Sequence, residues 1–311
     1  MKMDDYKLGV VYAAGAYILW GFLPLYWKMA EHVPAWEILA HRIVWSFLFM
    51  IAVVIILKKW PSFVIECKSI FKDAKKLAGI TLASIIISLN WVTYIWAVNN
   101  AHVVEASMGY YINPLISILL GILVLKEKLT YWQFIAFILA GIGVLYMTFQ
   151  FGSVPWVAIL LAFSFALYGL LKKVVQLGAM FGLTIETLMI TPAAILYLTY
   201  VHTGGGYGAF TFSSLDGLIL AGSGVMTAVP LLMFASGAKR IPLSMVGFLQ
   251  YFAPTIMLLL GVILFDEPFT SVHLVTFSLI WLGLIIYSLA NTRMLQKLEY
   301  KIRFRNKGLE K

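Results

Sequence analysis

The chain of 311 residues is 62% hydrophobic and 12% charged, whereas soluble domains run near half apolar and a quarter charged. No water-soluble core absorbs that surplus, so a soluble enzyme or binding module is excluded. The net charge of +9 would suit nucleic acid only if the bases clustered, and the single cysteine, Cys67, excludes an intrachain disulfide and any cysteine-built zinc or redox centre.

A spanning helix needs about 20 predominantly apolar residues to cover roughly 30 Å of hydrocarbon at about 1.5 Å of rise per residue. Runs of that length predict ten spans in chain order. The first covers residues 8–27 and carries Trp20. Its flanking Lys2 and Lys7 would suit a signal peptide, but the run is too long for one, holds Pro24 and Trp27 and is followed by further spans, so it is read as helix 1.

The second span, 37–57, contains His41 and Arg42. A charge inside a span costs about 3 kcal/mol or more and must face protein or water with a partner. Arg42 lies about 7 Å from the outer surface, five residues beyond Glu37 at helical rise. Glu186 and Glu105 are candidate partners, in a structural ion pair or in a site for an anionic or strongly polar substrate group. His41 is a candidate proton-coupling group or a hydrogen-bonded helix-end histidine.

The third span, 77–98, carries Asn90, Trp91, Tyr94 and Trp96, and Asn99 and Asn100 follow it. Trp96, like Trp27, suits the interfacial aromatic belt, whereas Trp20, Asn90, Trp91 and Tyr94 lie deeper. Aromatic faces with a few amides describe a pocket for a neutral or amphipathic organic molecule.

The fourth span, 104–125, places Ser107, Tyr111, Pro114, Ser117 and Gly121 on one stripe, beside Tyr110 and Asn113; the fifth is 131–149. The sixth, 154–171, carries Tyr168, the seventh is 183–201 and the eighth 217–235. The ninth, 243–265, sets Gly247, Gln250, Tyr251, Pro254 and Gly261 on a like stripe, and the tenth is 272–290. Central prolines free the carbonyls of Tyr110 and Gln250, so Pro114 and Pro254 are expected helix breaks beside a site. The same stripes of small residues suit close helix packing.

Of the 23 bases, 21 fall on one side of this arrangement, with Lys28 alone opposite and Arg42 within a span. The positive-inside rule therefore puts both termini in the cytoplasm and removes nucleic acid as a partner. The basic tail, 293–311, suits either a surface helix on anionic lipid or a solvated end.

Pro114, Gly121, Glu127, Thr130 and Gly143 recur 140 residues later as Pro254, Gly261, Glu267, Thr270 and Gly283. A weaker echo matches Trp20 and Gly21 to Tyr168 and Gly169. Five spans per unit force the second copy to enter from the opposite side. The expected fold is an all-α polytopic membrane protein of ten transmembrane helices, built as two inverted five-helix repeats at 1–149 and 150–292, a geometry suited to alternating access.

This arrangement resembles the drug/metabolite transporter superfamily and its EamA-type modules over essentially the whole chain. The stretches Trp20-Gly-Phe-Leu-Pro24, Glu37-Ile-Leu-Ala-His-Arg42, Trp45-Ser46, Gly109-Tyr-Tyr-Ile-Asn-Pro114 and Leu249-Gln-Tyr251 with Pro254 look closer still to its RarD-like subgroup, named for chloramphenicol sensitivity. The resemblance implies a multi-pass bacterial inner-membrane permease exporting a small organic metabolite or drug.

P-loops, nucleophile elbows, HExxH and dinucleotide fingerprints are absent, so transport is expected to be secondary, without cofactor or metal. The expected substrate contacts are Trp20, His41, Arg42, Asn90, Tyr94, Tyr110, Tyr111, Asn113, Tyr168, Gln250 and Tyr251. A membrane enzyme acting on a lipid-linked substrate is the alternative. It would need clustered acids or histidines, and the spans offer only scattered Glu37, His41, Glu105 and Glu186.

Overall fold

The computed structural model describes residues 3–30, 32–99, 103–152, 155–175, 177–203, 214–264, 269–290, 292 and 295. Twelve helices are found among them: α1 (Met3–Lys28), α2 (Ala35–Ile56), α3 (Trp60–Lys72), α4 (Ala74–Asn99), α5 (Val103–Leu123), α6 (Tyr131–Phe151), α7 (Trp156–Val174), α8 (Ala179–Thr203), α9 (Leu215–Arg240), α10 (Leu243–Gln250), α11 (Phe252–Leu264) and α12 (Ser271–Leu289). All ten expected spans are present, α10 and α11 together forming the ninth. The addition is α3, a short amphipathic helix between the second and third spans. The side chains of Glu105 and Ser107, together with Asn100, Asp266, Glu267 and nearly all of the tail, lie outside the described residues.

Lipid contact accounts for the apolar surplus. On α6, Ile138, Ile142 and Leu145 form an outward stripe at helical spacing, each 43–55% exposed. Inward positions are small: Ala13, Ala16, Ala136, Ala158, Ala162, Ala166, Ala228 and Ala235 are fully or almost fully buried. Between lipid-solvated helices apolar burial supplies little attraction, so close backbone approach must supply dispersion contact instead. Gly224 shows the extreme: a Cβ there would fall 2.3 Å from the carbonyl carbon of Trp45, which locks α9 onto α2.

The inverted repeat is visible in reciprocal contacts. A Cβ on Gly143 would meet the Thr276 carbonyl oxygen at 3.0 Å, and one on Gly283 would meet the Ala136 carbonyl oxygen at 2.9 Å. Thr276 follows Ala136 by the same 140 residues that separate Gly283 from Gly143, so α6 and α12 present the same patch to each other across a two-fold. The other packing pairs map onto one another under the same exchange. Contacts α1·α9 and α4·α7 correspond, as do α2·α9 and α4·α8, and α1 on α10 and α11 corresponds to α5·α7.

The repeated residues of the first copy have architectural work. Thr130 caps α6 by accepting from the Gln133 N–H, and Thr270 caps α12 by accepting from the His273 N–H. Glu127 accepts from the backbone N–H groups of Leu243 (2.6 Å) and Ser244 (2.9 Å) and from the Ser244 hydroxyl (2.8 Å), which caps α10 with a full negative charge. Gly121 leaves the room for that carboxylate, since a Cβ there would lie 2.7 Å from Glu127 Oε2.

The two central prolines differ. The ninth span breaks at Tyr251, between α10 and α11 and three residues before Pro254, as a lost helical hydrogen bond predicts. Pro114 breaks nothing: α5 runs unbroken from Val103 to Leu123. Packing explains the tolerance, because α5 is held along its length by α7 and, in its second half, by α10, where Gly247 closes onto the Pro114 carbonyl oxygen.

Candidate functional site

Arg42 is aimed by the tight α2–α9 contact. One turn further along α2, the Ser46 hydroxyl donates to the Gly224 carbonyl oxygen at 3.1 Å, and Gly224 removes the side chain that would hold the helices apart. Three residues on from Gly224, the Thr227 hydroxyl then accepts from Arg42 Nε at 3.0 Å. The guanidinium carbon stands 4.9 Å from the Trp27 ring centroid and 5.6 Å from that of Trp91, so α1 and α4 enclose the cation between aromatic rings.

Tyr94 on α4 and Tyr110 on α5 complete this group. Their ring centroids are 6.5 Å apart, and both phenols lie within electrostatic range of Arg42. They keep 39% and 41% of their surface accessible. Among the described residues Arg42 has one hydrogen-bond acceptor, a neutral hydroxyl, and no carboxylate within ion-pair distance. No described acceptor meets the two outer nitrogens of its fork, and the side chain of Glu105, the other expected partner, lies outside the described residues.

Deeper along α1, seven residues before Trp27 and on the same face, Trp20 belongs to an aromatic layer. Its centroid lies 5.3 Å from Tyr17, 5.7 Å from Phe165 and 5.8 Å from Phe234, and Tyr168 stacks on Phe234 at 6.0 Å. Between α5 and α10, the Ser117 hydroxyl lies 3.2 Å from Asn113 Oδ1 and 3.3 Å from Gln250 Oε1, with Tyr17 against Gln250. A hydroxyl has one proton, so this network can donate to one amide or the other but not both.

Of the two expected partners of Arg42, Glu186 is elsewhere and the side chain of Glu105 lies outside the described residues. Glu186 binds Lys172 through both oxygens, at 2.6 and 2.7 Å, and accepts from the Tyr168 hydroxyl at 3.0 Å. The repeat itself explains the correction: Glu37 and Glu186 are equivalent, and inversion puts equivalent helix starts on opposite membrane faces. Lys172, Glu186 and Lys239 line a small cavity of about 10 Å³ at that opposite end, room for roughly one water molecule.

Several other expected contacts point away from Arg42. His41, one residue and about 100° around α2, is buried with Nε2 3.9 Å from Glu37 Oε1 and its ring 6.4 Å from that of His202. Asn90 ties α4 to α7 by donating to the Leu161 carbonyl (2.9 Å) and to Ser164 (2.8 Å). Tyr111 and its repeat equivalent Tyr251 both turn toward α6 and α12: Tyr111 meets Phe277 edge-on at 5.3 Å, and Tyr251 packs among Ala140, Val144 and Ile280. Tyr168 serves the Glu186 pair.

Of the expected contacts, Arg42, Tyr94 and Tyr110 come together, with Trp20 and the Asn113–Gln250 network below them. Sequence reasoning missed Trp27, taken for an interfacial anchor, and Thr227. The signal for both was an arginine within a span, which demands close neighbours from other helices.

The comparisons with known proteins agree with this architecture. The EamA-like transporter family matches residues 7–149. The uncharacterized transporter YojE of Bacillus subtilis is 50% identical over 296 residues, covering 94% of this chain and 97% of its own. Protein RarD of Escherichia coli is 41% identical over 288 residues, 92% of this chain and 96% of its own. A solved structure described only as the crystal structure of a protein shares the fold, with a TM-score of 0.69 at 16% identity over 92% of this chain and 98% of its own. With nine apolar helices of membrane-spanning length and a tenth, shorter apolar one among the described residues, reciprocal halves and relatives of this likeness over nearly its full length, the chain belongs to the EamA-like transporter family, in its RarD-like subgroup.

Proposed function

We propose that this membrane transporter is a secondary carrier that exports a small amphipathic organic molecule bearing an anionic group, by alternating access between the units at 1–149 and 150–292. The observation that carries the reading is Arg42, a cation whose two outer fork nitrogens meet no acceptor among the described residues, held between Trp27 and Trp91 beside accessible Tyr94 and Tyr110. A carboxylate matches that fork with two parallel hydrogen bonds, and the rings offer flat apolar faces to the rest of the ligand. The direction rests on what the resemblance to the RarD-like subgroup implies.

The uneven closure of α5 on the ninth span supports the mechanism. The second half of α5 packs along α10, whereas α5 only grazes α11. Two-fold related helices that touch at one end and part at the other are poised to exchange the open and closed ends.

A panel of aromatic carboxylates and their uncharged amides, added to the protein in nanodiscs, tests the substrate class. Carboxylates should raise the Tm by several degrees and the matching amides by much less. Equal stabilisation by both series, or preference for amines, would refute an anion-selective Arg42.

The orientation rests on the 21-to-1 loop asymmetry in basic residues, which supports cytoplasmic termini. Cys67 is a poor reporter of it, because it lies on the inward face of α3 against the cluster of Val54, Ile70, Ile80 and Leu177, and burial beside Glu66 raises its thiol pKa. In a Cys67→Ser background, an impermeant maleimide should label Gly205→Cys in intact cells and Ser62→Cys only after permeabilisation. The reverse pattern would invert the topology.

A further inference from the structure

The helix α3 has a use that its role as a connector does not require. Its 13 residues span about 20 Å, yet only three residues separate it from α2 and one from α4. The two spans end on the same membrane face, so a helix that long on tethers that short must run along the surface. Asp73 fixes the exit by accepting from the N–H groups of Lys75 (3.0 Å) and Lys76 (3.2 Å), which caps α4.

At 100° per residue α3 divides into sectors. Phe63, Cys67 and Ile70 share one, packed on Val54, Ile80, Leu177 and Ile185 at the ends of the spans. The adjoining sector holds Trp60, Val64 and Phe71, with Trp60 46% and Phe71 74% exposed. Exposed Lys68 and Lys72 border it, and exposed Lys58 and Lys59 precede the helix.

A protein partner would bury such rings away from flanking charge. Here the exposed rings adjoin the sector that packs on the apolar span ends while lysines edge them, which is the arrangement of a helix lying at the boundary of acyl chains and headgroups. We propose that α3 is a binding site for anionic phospholipid, its Trp60–Phe71 edge set among acyl chains and its lysines on the headgroup phosphates. The site is independent of the transported substrate. Because the buried face of α3 also packs on Leu177, Phe181 and Ile185, lipid occupancy bears on the same end of α8 as the Lys172–Glu186 pair.

Two measurements test it. In the Cys67→Ser background, a bimane label on Phe71→Cys should be quenched by brominated acyl chains and shielded from aqueous iodide, with the opposite pattern on Ser62→Cys. Iodide quenching of both without lipid quenching of either would overturn the proposal. In nanodiscs, replacing part of the phosphatidylcholine by phosphatidylglycerol should raise the Tm of the full chain by several degrees at low salt. Lys58→Gln/Lys59→Gln/Lys68→Gln/Lys72→Gln should abolish that rise while keeping the Tm in pure phosphatidylcholine. A rise that survives in the quadruple variant, or that inorganic phosphate reproduces in phosphatidylcholine discs, would overturn the assignment to lipid.

Discussion

Arg42→Ala should lower substrate flux in proteoliposomes at least tenfold at equal protein amount, without lowering the yield of folded protein. A charged hydrogen-bonded pair lost on truncating one partner costs about 2–5 kcal/mol of binding, and each 1.4 kcal/mol is a factor of ten. Folding should not suffer in proportion. The guanidinium is held within a span by a neutral hydroxyl and two rings, so its desolvation is poorly offset and its removal relieves a cost of about 3 kcal/mol. The expected signature is an inactive protein with an unchanged or higher Tm.

Arg42→Lys sharpens the test. Lysine keeps the charge but lacks the planar fork and the Nε donor that Thr227 holds, so it should restore less than a tenth of the lost flux. Full flux in Arg42→Ala would remove Arg42 from transport. A fall in Tm that matches the fall in flux would instead make the residue a structural tie between α2 and α9.

The second large effect is expected at the other end of the molecule. Lys172→Met should lower the Tm by on the order of 10 °C, because it leaves the Glu186 carboxylate buried with only the Tyr168 hydroxyl. Breaking a buried pair from one side costs about 3–5 kcal/mol, and each kcal/mol moves a domain of this size class by about 2–4 °C. Both side chains are at most 7% exposed, so water cannot screen the orphaned charge.

Lys172→Met/Glu186→Gln should recover most of that loss, since removing both charges also removes the desolvation that opposed them. The check is the thermal loss of the monodisperse peak in size-exclusion chromatography. A double variant no more stable than the single one would show that the pair is not a coupled unit. The two experiments contrast: Arg42 has no counter-charge among the described residues, whereas Lys172 has its counter-charge in Glu186.

Much of the fold was legible because membrane constraints act locally. Hydrocarbon thickness sets run length, and the placement of lysines sets sidedness, so all ten spans could be counted without knowing how they pack. What escaped was α3, too short for a span and too apolar for a loop. Its meaning depends on the helix ends that receive Phe63 and Ile70.

The candidate site was less legible, and the repeat both revealed and misled. Residues that recur include those both halves use alike, Thr130 and Thr270 as caps and Gly143 and Gly283 as reciprocal contacts, while Glu127 is the clasp on α10. The site lies where the halves differ. Counting from Glu37 and Glu186, the position matching Arg42 is Thr191, so no self-similarity points to the arginine. Tyr111 and Tyr251, equivalent and beside the prolines, invited a role in the site, yet both pack toward α6 and α12.

By itself, the sequence determined the number of spans, their inverted pairing and the presence of one arginine that membrane energetics must explain. These follow from length, charge position and period, quantities defined along the chain. Which residues answer Arg42 was decided only by the tertiary structure. Trp27, Trp91 and Thr227 come from three helices, and they meet the guanidinium because Gly224 and Ser46 draw α9 against α2 at one level. A one-residue turn of either helix, about 100°, would present a different set of side chains, and no pattern within a single span encodes that angle.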